Sequence, residues 1–280
     1  MREIHVDKIR DAVAEMAVEV NSFLSDDVCE AIASFRERED WPIAEDILGK
    51  IQKNIEIAKR DYVPLCQDTG FACVFIEVGQ DVHLVGGSVG DAVNEGVRRG
   101  YTDGYLRKSV VKDPIRRGNT GDNTPAHIHY EIVPGDRVKI TLAPKGFGSE
   151  NMSQIKMFAP AAGEEGVKDF IVKCVEDAGA NPCPPIVVGV GIGGTFDRAA
   201  LMAKQALLVP LDEENPDRYY ADMEKELLER INRLGIGPQG FGGKTTALGV
   251  KIKTFPTHIA GMPVAVNINC HVSRHKEVVL

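Results

Sequence analysis

The sequence has no surplus of basic residues: 33 Lys and Arg stand against 41 Asp and Glu, and the formal net charge is -8. This charge opposes nonspecific binding to nucleic acid, and no basic block suggests a polyanionic partner. Because no apolar run reaches about 18 residues, we expect no membrane-spanning helix. Six cysteines in 280 residues are too few for a disulfide scaffold, and no signal peptide precedes them. These absences predict a protein of the reducing cytoplasm.

The residues that are present are typical of a globular protein. A chain of 280 residues, 43% of them hydrophobic, can bury a full core as one large domain or two modest ones. Apolar residues recur at helical spacing from Val6 to Leu24, Ser25 caps a second predicted helix, and a third runs through Ile47 to Ile55. We therefore predict an α/β fold of the α+β kind. Residues 1–60 form its helical part, and residues 61–280 form mixed or antiparallel sheets with packed helices.

The segment from Pro64 to Gly70 carries a cysteine and a carboxylate two residues apart in a predicted turn. The Cys66 thiolate is a soft ligand that suits a soft metal or a cluster, and the Asp68 carboxylate can handle a substrate proton. Asp68 also favours a local bend in which its side chain bonds to the backbone. For an isolated cysteine, the alternative is a half-buried packing residue.

Two strands are predicted near the middle of the chain. Residues 126–133 and 136–143 alternate polar and apolar side chains around a Pro-Gly pair, which predicts a β-hairpin. His127 and His129 share one face of the first strand. They could ligate a metal ion, but no third ligand is evident nearby, and a polar sheet face is the alternative.

Two loops could contact a ligand. Arg107 precedes a long loop that ends at Pro125, and it could clamp a substrate carboxylate in a bidentate fork. A solvated surface arginine fits its residue type equally well. Residues 144–151 combine two glycines, a lysine and polar side chains, and such a loop lets the backbone approach a ligand closely.

A glycine run suggests a different class of function. Residues 189–194, Gly-Val-Gly-Ile-Gly-Gly, follow a predicted strand, precede a predicted helix and match the fingerprint of dinucleotide-binding enzymes. That fingerprint also needs an acidic residue about 20 positions further on, at the end of a second strand. Asp212 has this spacing but lies in a predicted loop. A nucleotide-binding oxidoreductase is therefore the alternative and not the main prediction.

The last part of the chain supplies two more candidates for binding or catalysis. Residues 237–246 resemble a phosphate loop, but Pro238 stands where the Walker A pattern requires its first glycine. Lys244 and nearby N–H groups could still hold carboxylate oxygens, and a tight helix-to-strand connection is the alternative. His258, beside Thr257, is a candidate acid/base or substrate-orienting group, with a buried structural histidine as the alternative.

Three of the cysteines lie at predicted loop or strand ends: Cys66, Cys183 and Cys270. Their spacing matches neither a zinc ribbon nor a ferredoxin motif. If they converge, three thiolates could hold a [4Fe–4S] cluster in which one iron has no protein ligand. The other cysteines are predicted to pack in the core: Cys29, Cys73 and Cys174.

Five separated segments, in the same order, resemble the α subunit, or N-terminal half, of class I fumarate hydratases and of the related L-tartrate dehydratases. The segments are residues 64–70, 145–153, 181–194, 237–252 and 257–270. The similarity extends over essentially the whole chain. It implies the N-terminal-domain fold of that family, in one domain over residues 1–280, and an oxygen-sensitive iron–sulfur hydro-lyase.

The resemblance also implies roles for individual residues. Cys66, Cys183 and Cys270 would ligate a [4Fe–4S] cluster whose open iron takes the substrate hydroxyl and one carboxylate. Asp68 would belong to the proton-transfer network, and His258 would act on or orient the substrate. The residues that we expect to bind the substrate are Gln67, Arg107 and Gly148, together with Lys244 from its glycine-dense loop.

The expected reaction is reversible hydration of fumarate to L-malate. Dehydration of L(+)-tartrate is the close alternative, because the two hydroxy-acids differ by one hydroxyl and no residue decides between them. Single-chain members of the family carry a C-terminal domain that supplies further active-site residues, and this sequence ends at Leu280 without one. We therefore expect a separate β subunit that completes the active site for a small dicarboxylate, in an α2β2-type assembly.

Overall fold

The computed structural model describes every residue from Met1 to Leu280. Its strands and helices, in chain order, are β1 (Arg2–His5), α1 (Val6–Ser22), α2 (Asp26–Arg38), α3 (Pro42–Asp61), β2 (Phe71–Gly79), β3 (Val82–Val85), α4 (Val89–Asp103), β4 (His127–Val133), β5 (Val138–Lys145), α5 (Phe147–Glu150), β6 (Gln154–Phe158), α6 (Gly163–Ala178), β7 (Ile186–Gly193), α7 (Phe196–Ala206), α8 (Arg218–Asn232), β8 (Ala247–Phe255), β9 (Met262–Asn269) and β10 (Lys276–Val279). The predicted mixed α/β class is confirmed. None of these helices is both long enough and apolar enough to cross a membrane.

The chain divides into two compact units. The first unit comprises Met1–Leu24, Ile55–Phe147 and Arg274–Leu280, and the second comprises Ser25–Asn54 and Gly148–Ser273. Each unit has its own four-stranded sheet and its own apolar core. A single domain over residues 1–280 stays a prediction.

The first unit is built on a sheet with the strand order β10-β5-β2-β4, and the strands β1 and β3 form a separate parallel pair. Helices α1 and α4 pack against each other, and α1 also contacts β5. The predicted amphipathic first helix is confirmed, since its apolar positions enter the core. The core of this unit includes Ile9, Val13 and Met16 of α1, Val93, Val97 and Tyr101 of α4, and Val74, Ile76, Ile140 and Leu142 of the sheet.

The predicted hairpin is wrong. Both of its strands exist, as β4 and β5, but β2 lies between them, parallel to β4 and antiparallel to β5. The residues of β2 from Ala72 to Ile76 are all buried, so this strand needs a neighbour on each side and a cover on each face. Alternation along β4 and β5 identified strands, but alternation carries no information about which strand is the neighbour.

The second unit is built on a sheet with the strand order β6-β9-β7-β8, in which β7 and β8 are parallel and the other pairs are antiparallel. Successive residues of β7 point to opposite faces. Val188 and Val190 enter the core with α6 and α8, whereas Gly189 and Gly191 face α7.

The glycine run of β7 has a packing role. A Cβ at Gly189 would lie 2.2 Å from the carbonyl oxygen of Ala203, and a Cβ at Gly191 would lie 2.1 Å from that of Ala199. Both oxygens belong to α7, so this helix lies directly on the strand, and a side chain at either glycine would collide with backbone. The two-residue spacing of the glycines therefore follows from strand alternation under a close helix. It needs no nucleotide to explain it.

We expect Gly191→Ala to lower the free energy of unfolding of the chain by about 3 kcal/mol, because its Cβ would meet backbone atoms of α7 that cannot move independently. Urea unfolding followed by circular dichroism measures this. Gly261→Ala is the matched control, since nothing lies within 4 Å of its Cβ position. Equal costs for the two substitutions would contradict the packing role.

Candidate active site

The Pro64–Gly70 turn is held by buried groups of the first unit. The N–H of Leu65 donates to the carbonyl of Asn21 at 2.8 Å. The hydroxyl of Tyr101 donates to the carbonyls of Thr69 and Gly70, at 2.8 and 3.0 Å. Burial raises the pKa of the Tyr101 phenol, so the hydroxyl stays protonated and available as a donor. The turn is therefore fixed from the core side.

Asp68 is half-buried, and its carboxylate accepts two backbone hydrogen bonds. Oδ1 accepts from the N–H of Gly70 at 3.1 Å, which is the local bend predicted from the sequence. Oδ2 accepts from the N–H of Phe147 at 3.1 Å. Gly70 has φ 77°, and a Cβ there would lie 2.8 Å from the backbone nitrogen of Lys145, so only glycine fits this close approach of turn and strand. The carboxylate thus has a fixed orientation.

A buried arginine that the sequence analysis did not single out also holds this turn. Arg274 is 5% exposed. Its Nη2 donates to the carbonyl of Asp68 at 2.9 Å, and its Nε donates to Oδ1 of Asn21 at 3.2 Å. The cation therefore fixes the backbone of the aspartate and leaves the carboxylate to other partners.

The first unit brings three of the predicted site residues together. Gln67 and Asp68 are adjacent on the turn, and Nη1 of Arg107 donates to Oε1 of Gln67 at 3.4 Å. The N–H of Arg107 donates to Oγ1 of Thr69 at 2.9 Å, which ties its backbone to the turn. The side chains of Gln67 and Arg107 are exposed. Amide, carboxylate and guanidinium groups therefore form one polar surface beside Cys66.

The second unit brings Cys183 and Cys270 close together. Cys183 precedes β7, is exposed and has φ 54°, and Cys270 directly follows β9. The residue after Cys270, His271, donates its N–H to the carbonyl of Cys183 at 3.4 Å. Its Nδ1 lies 3.1 Å from the same oxygen and 3.3 Å from Nε2 of Gln239. Since β7 and β9 are antiparallel neighbours, the two cysteines lie at the same end of this strand pair.

The six thiols differ in burial, and none forms a disulfide. Cys73 and Cys174 are buried in the cores, as predicted, and burial raises the pKa of the Cys174 thiol to about 12, so it is protonated at neutral pH. Cys29, the third cysteine predicted to pack in the core, lies in α2 and is only half-buried. By contrast, the three candidate ligands lie in irregular segments and are partly or fully exposed. Their donor type and access suit an iron–sulfur cluster, which binds each cysteine through a different iron.

No group of three or more His, Cys, Asp and Glu side chains is arranged to hold a single metal ion. His127 and His129, the pair considered as metal ligands, belong to an aromatic stack. His129 stacks on Phe75 with ring centroids 4.9 Å apart, and it meets His127 edge to face at 4.5 Å. The structure therefore places the two rings in a packing contact on the sheet.

His258 lies at the other end of β9 from Cys270. The eight residues of β9 span about 26 Å at a rise of about 3.3 Å per residue. His258 is exposed in the turn after β8, where its Nδ1 accepts from the N–H of Ala260 at 3.2 Å. The second unit therefore does not bring His258 to its pair of cysteines. A catalytic role for this histidine stays a prediction.

The glycine-dense loop before β8 already holds a carboxylate, and that carboxylate is the chain's own. The N–H of Lys244 donates to Glu39 at 2.9 Å, and Oγ1 of Thr245 donates to the same carboxylate at 2.8 Å. The ammonium of Lys244 pairs with Asp40, and this hydrogen bond raises the pKa of Lys244 and lowers that of Asp40. Substrate binding by Lys244 stays a prediction.

Gly148 lies in the short helix α5 and is exposed. The nearest atom to a Cβ at this position is the carbonyl oxygen of Asn181, at 3.5 Å, which is an ordinary contact. Asn181 is two residues before Cys183, so Gly148 lies beside the segment that carries this cysteine. Packing within the chain does not require a glycine here, and substrate binding at Gly148 stays a prediction.

Sequence reasoning missed the residues that hold the turn. Tyr101 had a usable signal, because it follows Val97 by four positions on the apolar face of α4, and a buried phenol needs an acceptor. Asn123, whose buried Nδ2 donates to the carbonyl of Gly70 at 3.2 Å, had none, and neither had Arg274. Their partners on the turn are 53 and 206 positions away in sequence, and neither lies in a recognisable motif.

Comparison with known families identifies the class of protein as a hydro-lyase. The sequence model of the family described as "Fumarate hydratase (Fumerase)" matches residues 10–279. The chain belongs to this family, and the predicted resemblance is confirmed.

The similar curated proteins are named for tartrate. The chain is 41% identical over 272 residues to the "Putative L(+)-tartrate dehydratase subunit alpha" of Methanocaldococcus jannaschii, covering 95% of each chain. It is 30% identical over 273 residues to the L(+)-tartrate dehydratase subunit alpha of Escherichia coli strain K12, covering 96% of this chain and 89% of the relative. The same subunit of Escherichia coli strain UTI89 is 31% identical with the same coverage. These names support a hydro-lyase, and they fit the tartrate alternative better than fumarate.

Proposed function

We propose that this chain is the α part of a two-subunit hydro-lyase that dehydrates L(+)-tartrate. One observation carries the proposal: the half-buried Asp68 carboxylate lies on the same turn as Cys66 and Gln67, and Gln67 bonds the exposed guanidinium of Arg107. Membership of the family, over residues 10–279, supports the reaction class. The names of relatives at 30% to 41% identity support tartrate over fumarate as the substrate.

Arg107 and Gln67 would bind a substrate carboxylate. The guanidinium of Arg107 has five N–H donors, and one of its nitrogens donates to Oε1 of Gln67. This bond sets the orientation of the guanidinium plane. The remaining donors are exposed and can take a carboxylate in the bidentate geometry that arginine favours. Gln67 adds an amide N–H beside it. The pair thereby fixes one end of a four-carbon diacid.

Asp68 would move the substrate proton. Dehydration removes a proton from one carbon and a hydroxyl from the next. Each carboxylate oxygen of Asp68 accepts one backbone N–H and keeps a further lone pair, so the group can take a proton without losing its orientation. Because the carboxylate is fixed before the substrate arrives, little reorganisation is needed in the transition state.

Cys66, Cys183 and Cys270 would hold a [4Fe–4S] cluster. The support is the donor set: three thiols outside regular structure, none in a disulfide, two of them at the same end of the strand pair β7 and β9. When bound, a cluster with one iron free of protein ligands supplies a Lewis acid for the leaving hydroxyl. The protein residues described above then orient the carboxylates and carry the proton.

A β subunit would complete the site, since the relatives are named α subunits. We propose an α2β2-type assembly in which this chain alone is weakly active or inactive. Activity assays of the anaerobically reconstituted chain, alone and mixed with its β subunit, measure this. Full activity of this chain alone would contradict a shared site.

The substrate is tested on the assembled, anaerobically reconstituted enzyme with L(+)-tartrate and with L-malate or fumarate. We expect kcat/KM for tartrate to exceed that for malate by at least about 100-fold, because a site built to bond a second hydroxyl rejects the analogue that lacks it. Oxaloacetate formation reports the first reaction, and fumarate absorbance reports the second. The reverse preference would identify a fumarate hydratase and leave the rest of the proposal intact.

A further inference from the structure

The segment Leu106–Val110 carries Arg107 and is fixed without any helix or strand. Leu106 and Val110 are buried, at 2% and 5% exposure, while Arg107 and Ser109 face outward. In this alternating segment, two backbone N–H groups donate to side chains. The N–H of Arg107 donates to Oγ1 of Thr69 at 2.9 Å, and that of Ser109 donates to Oδ1 of Asn123 at 2.7 Å. Side chains therefore accept the backbone N–H groups of this segment, as the carbonyls of a neighbouring strand do in a sheet.

Both of those side chains are tied to the turn of Asp68. Thr69 directly follows Asp68 and is 2% exposed, and Asn123 is fully buried and donates from Nδ2 to the carbonyl of Gly70 at 3.2 Å. Thr69 also donates from Oγ1 to the carbonyl of Arg107 at 3.4 Å. One hydroxyl thus contacts both backbone groups of the arginine. The segment and the turn are locked in one register.

We propose that Thr69 is a positioning residue, which sets the distance between the guanidinium of Arg107 and the carboxylate of Asp68. The inference rests on the proposed function, in which Arg107 binds a substrate carboxylate and Asp68 moves the proton. A hydroxyl is the one small group that can both accept from the N–H of residue 107 and donate to its carbonyl. Thr69 does this from a buried place, without touching the substrate.

The same geometry predicts which kinetic constant responds. Arg107 would hold a carboxylate equally in the ground state and the transition state, so its displacement weakens binding of both. Asp68 keeps its own bonds from Gly70 and Phe147 when the Thr69 hydroxyl is lost. Loss of the hydroxyl should therefore raise KM and leave kcat nearly unchanged.

The test compares Thr69→Val with Thr69→Ser in the full chain and in the assembled enzyme. Valine has the shape of threonine without the hydroxyl, and serine restores it. Amide hydrogen exchange resolved at residue 107 reports the hydrogen bond without any activity. We expect T69V to speed exchange at Arg107 about tenfold and to raise KM about tenfold, with kcat within about threefold of wild type. T69S should stay near wild type in both.

Thr141→Val is the control for losing a buried hydroxyl elsewhere. Thr141 is 5% exposed in the same unit, and its Oγ1 bonds to Glu277 at 3.2 Å. T141V should change neither exchange at Arg107 nor KM. If T69V does not fold, T69A removes the same hydroxyl and carries the same expectation.

The outcomes separate this inference from the proposed function. Unchanged exchange at Arg107 in T69V, or faster exchange with an unchanged KM, would overturn the positioning role alone. A kcat that falls as KM stays constant would overturn it too. An assembled wild-type enzyme that dehydrates neither acid would overturn the proposed function, and this inference with it.

Discussion

Asp68→Asn is expected to lower kcat of the assembled enzyme by about 10³-fold, the typical scale for losing a group that transfers a proton. The amide keeps the shape of the carboxylate, and its oxygen can still accept the N–H of Gly70. It cannot take up a proton in the pH range of catalysis. Steady-state rates measure the effect, and the visible spectrum of the reconstituted enzyme should be unchanged, because Cys66 keeps its place on the turn.

Asp122→Asn is the matched control for this substitution. Asp122 lies in the same unit and, like Asp68, accepts a backbone N–H two residues on, from Thr124 at 3.0 Å. Its other oxygen accepts from Nε of Arg98 at 3.0 Å. We expect D122N to lower stability slightly and to leave kcat unchanged. If D68N retains more than about a tenth of the wild-type kcat, Asp68 is not the proton-transferring group.

The sequence predicted elements and local bends well, because these depend on nearby residues. The periodicity of Ile9, Val13 and Met16 identified α1, and the Asp68 side chain makes the bend that its residue type favours. The hairpin failed because the choice of neighbour depends on β2, more than 50 positions earlier than β4 in the chain. Periodicity within a segment cannot report the presence of a third strand.

Residues that act through distant partners were the least predictable part of the candidate site. Thr69 contacts a residue 38 positions away, and Arg274 contacts one 206 positions away. The same limit applied to Lys244, whose loop holds carboxylate oxygens of the chain itself. That the carboxylates are Glu39 and Asp40 depends on how α2 and its following loop pack. Residue type gave the chemistry in each case, and tertiary contacts decided the partner.

The second large effect concerns iron. Changing Cys66, Cys183 or Cys270 to serine is expected to lower the iron of the anaerobically reconstituted chain from about four per chain to below about one, because a cluster with two thiolates is poorly held. Chemical iron analysis and the optical spectrum measure this without any assay of activity. Cys174→Ala is the control, since this buried thiol is protonated and should lose no iron when it is removed. A serine variant that kept all of its iron would remove that cysteine from the ligand set. If wild type and all three variants bound no iron, the three-thiolate site itself would be wrong. The dehydration proposed for Gln67, Asp68 and Arg107 would then need another Lewis acid for the leaving hydroxyl.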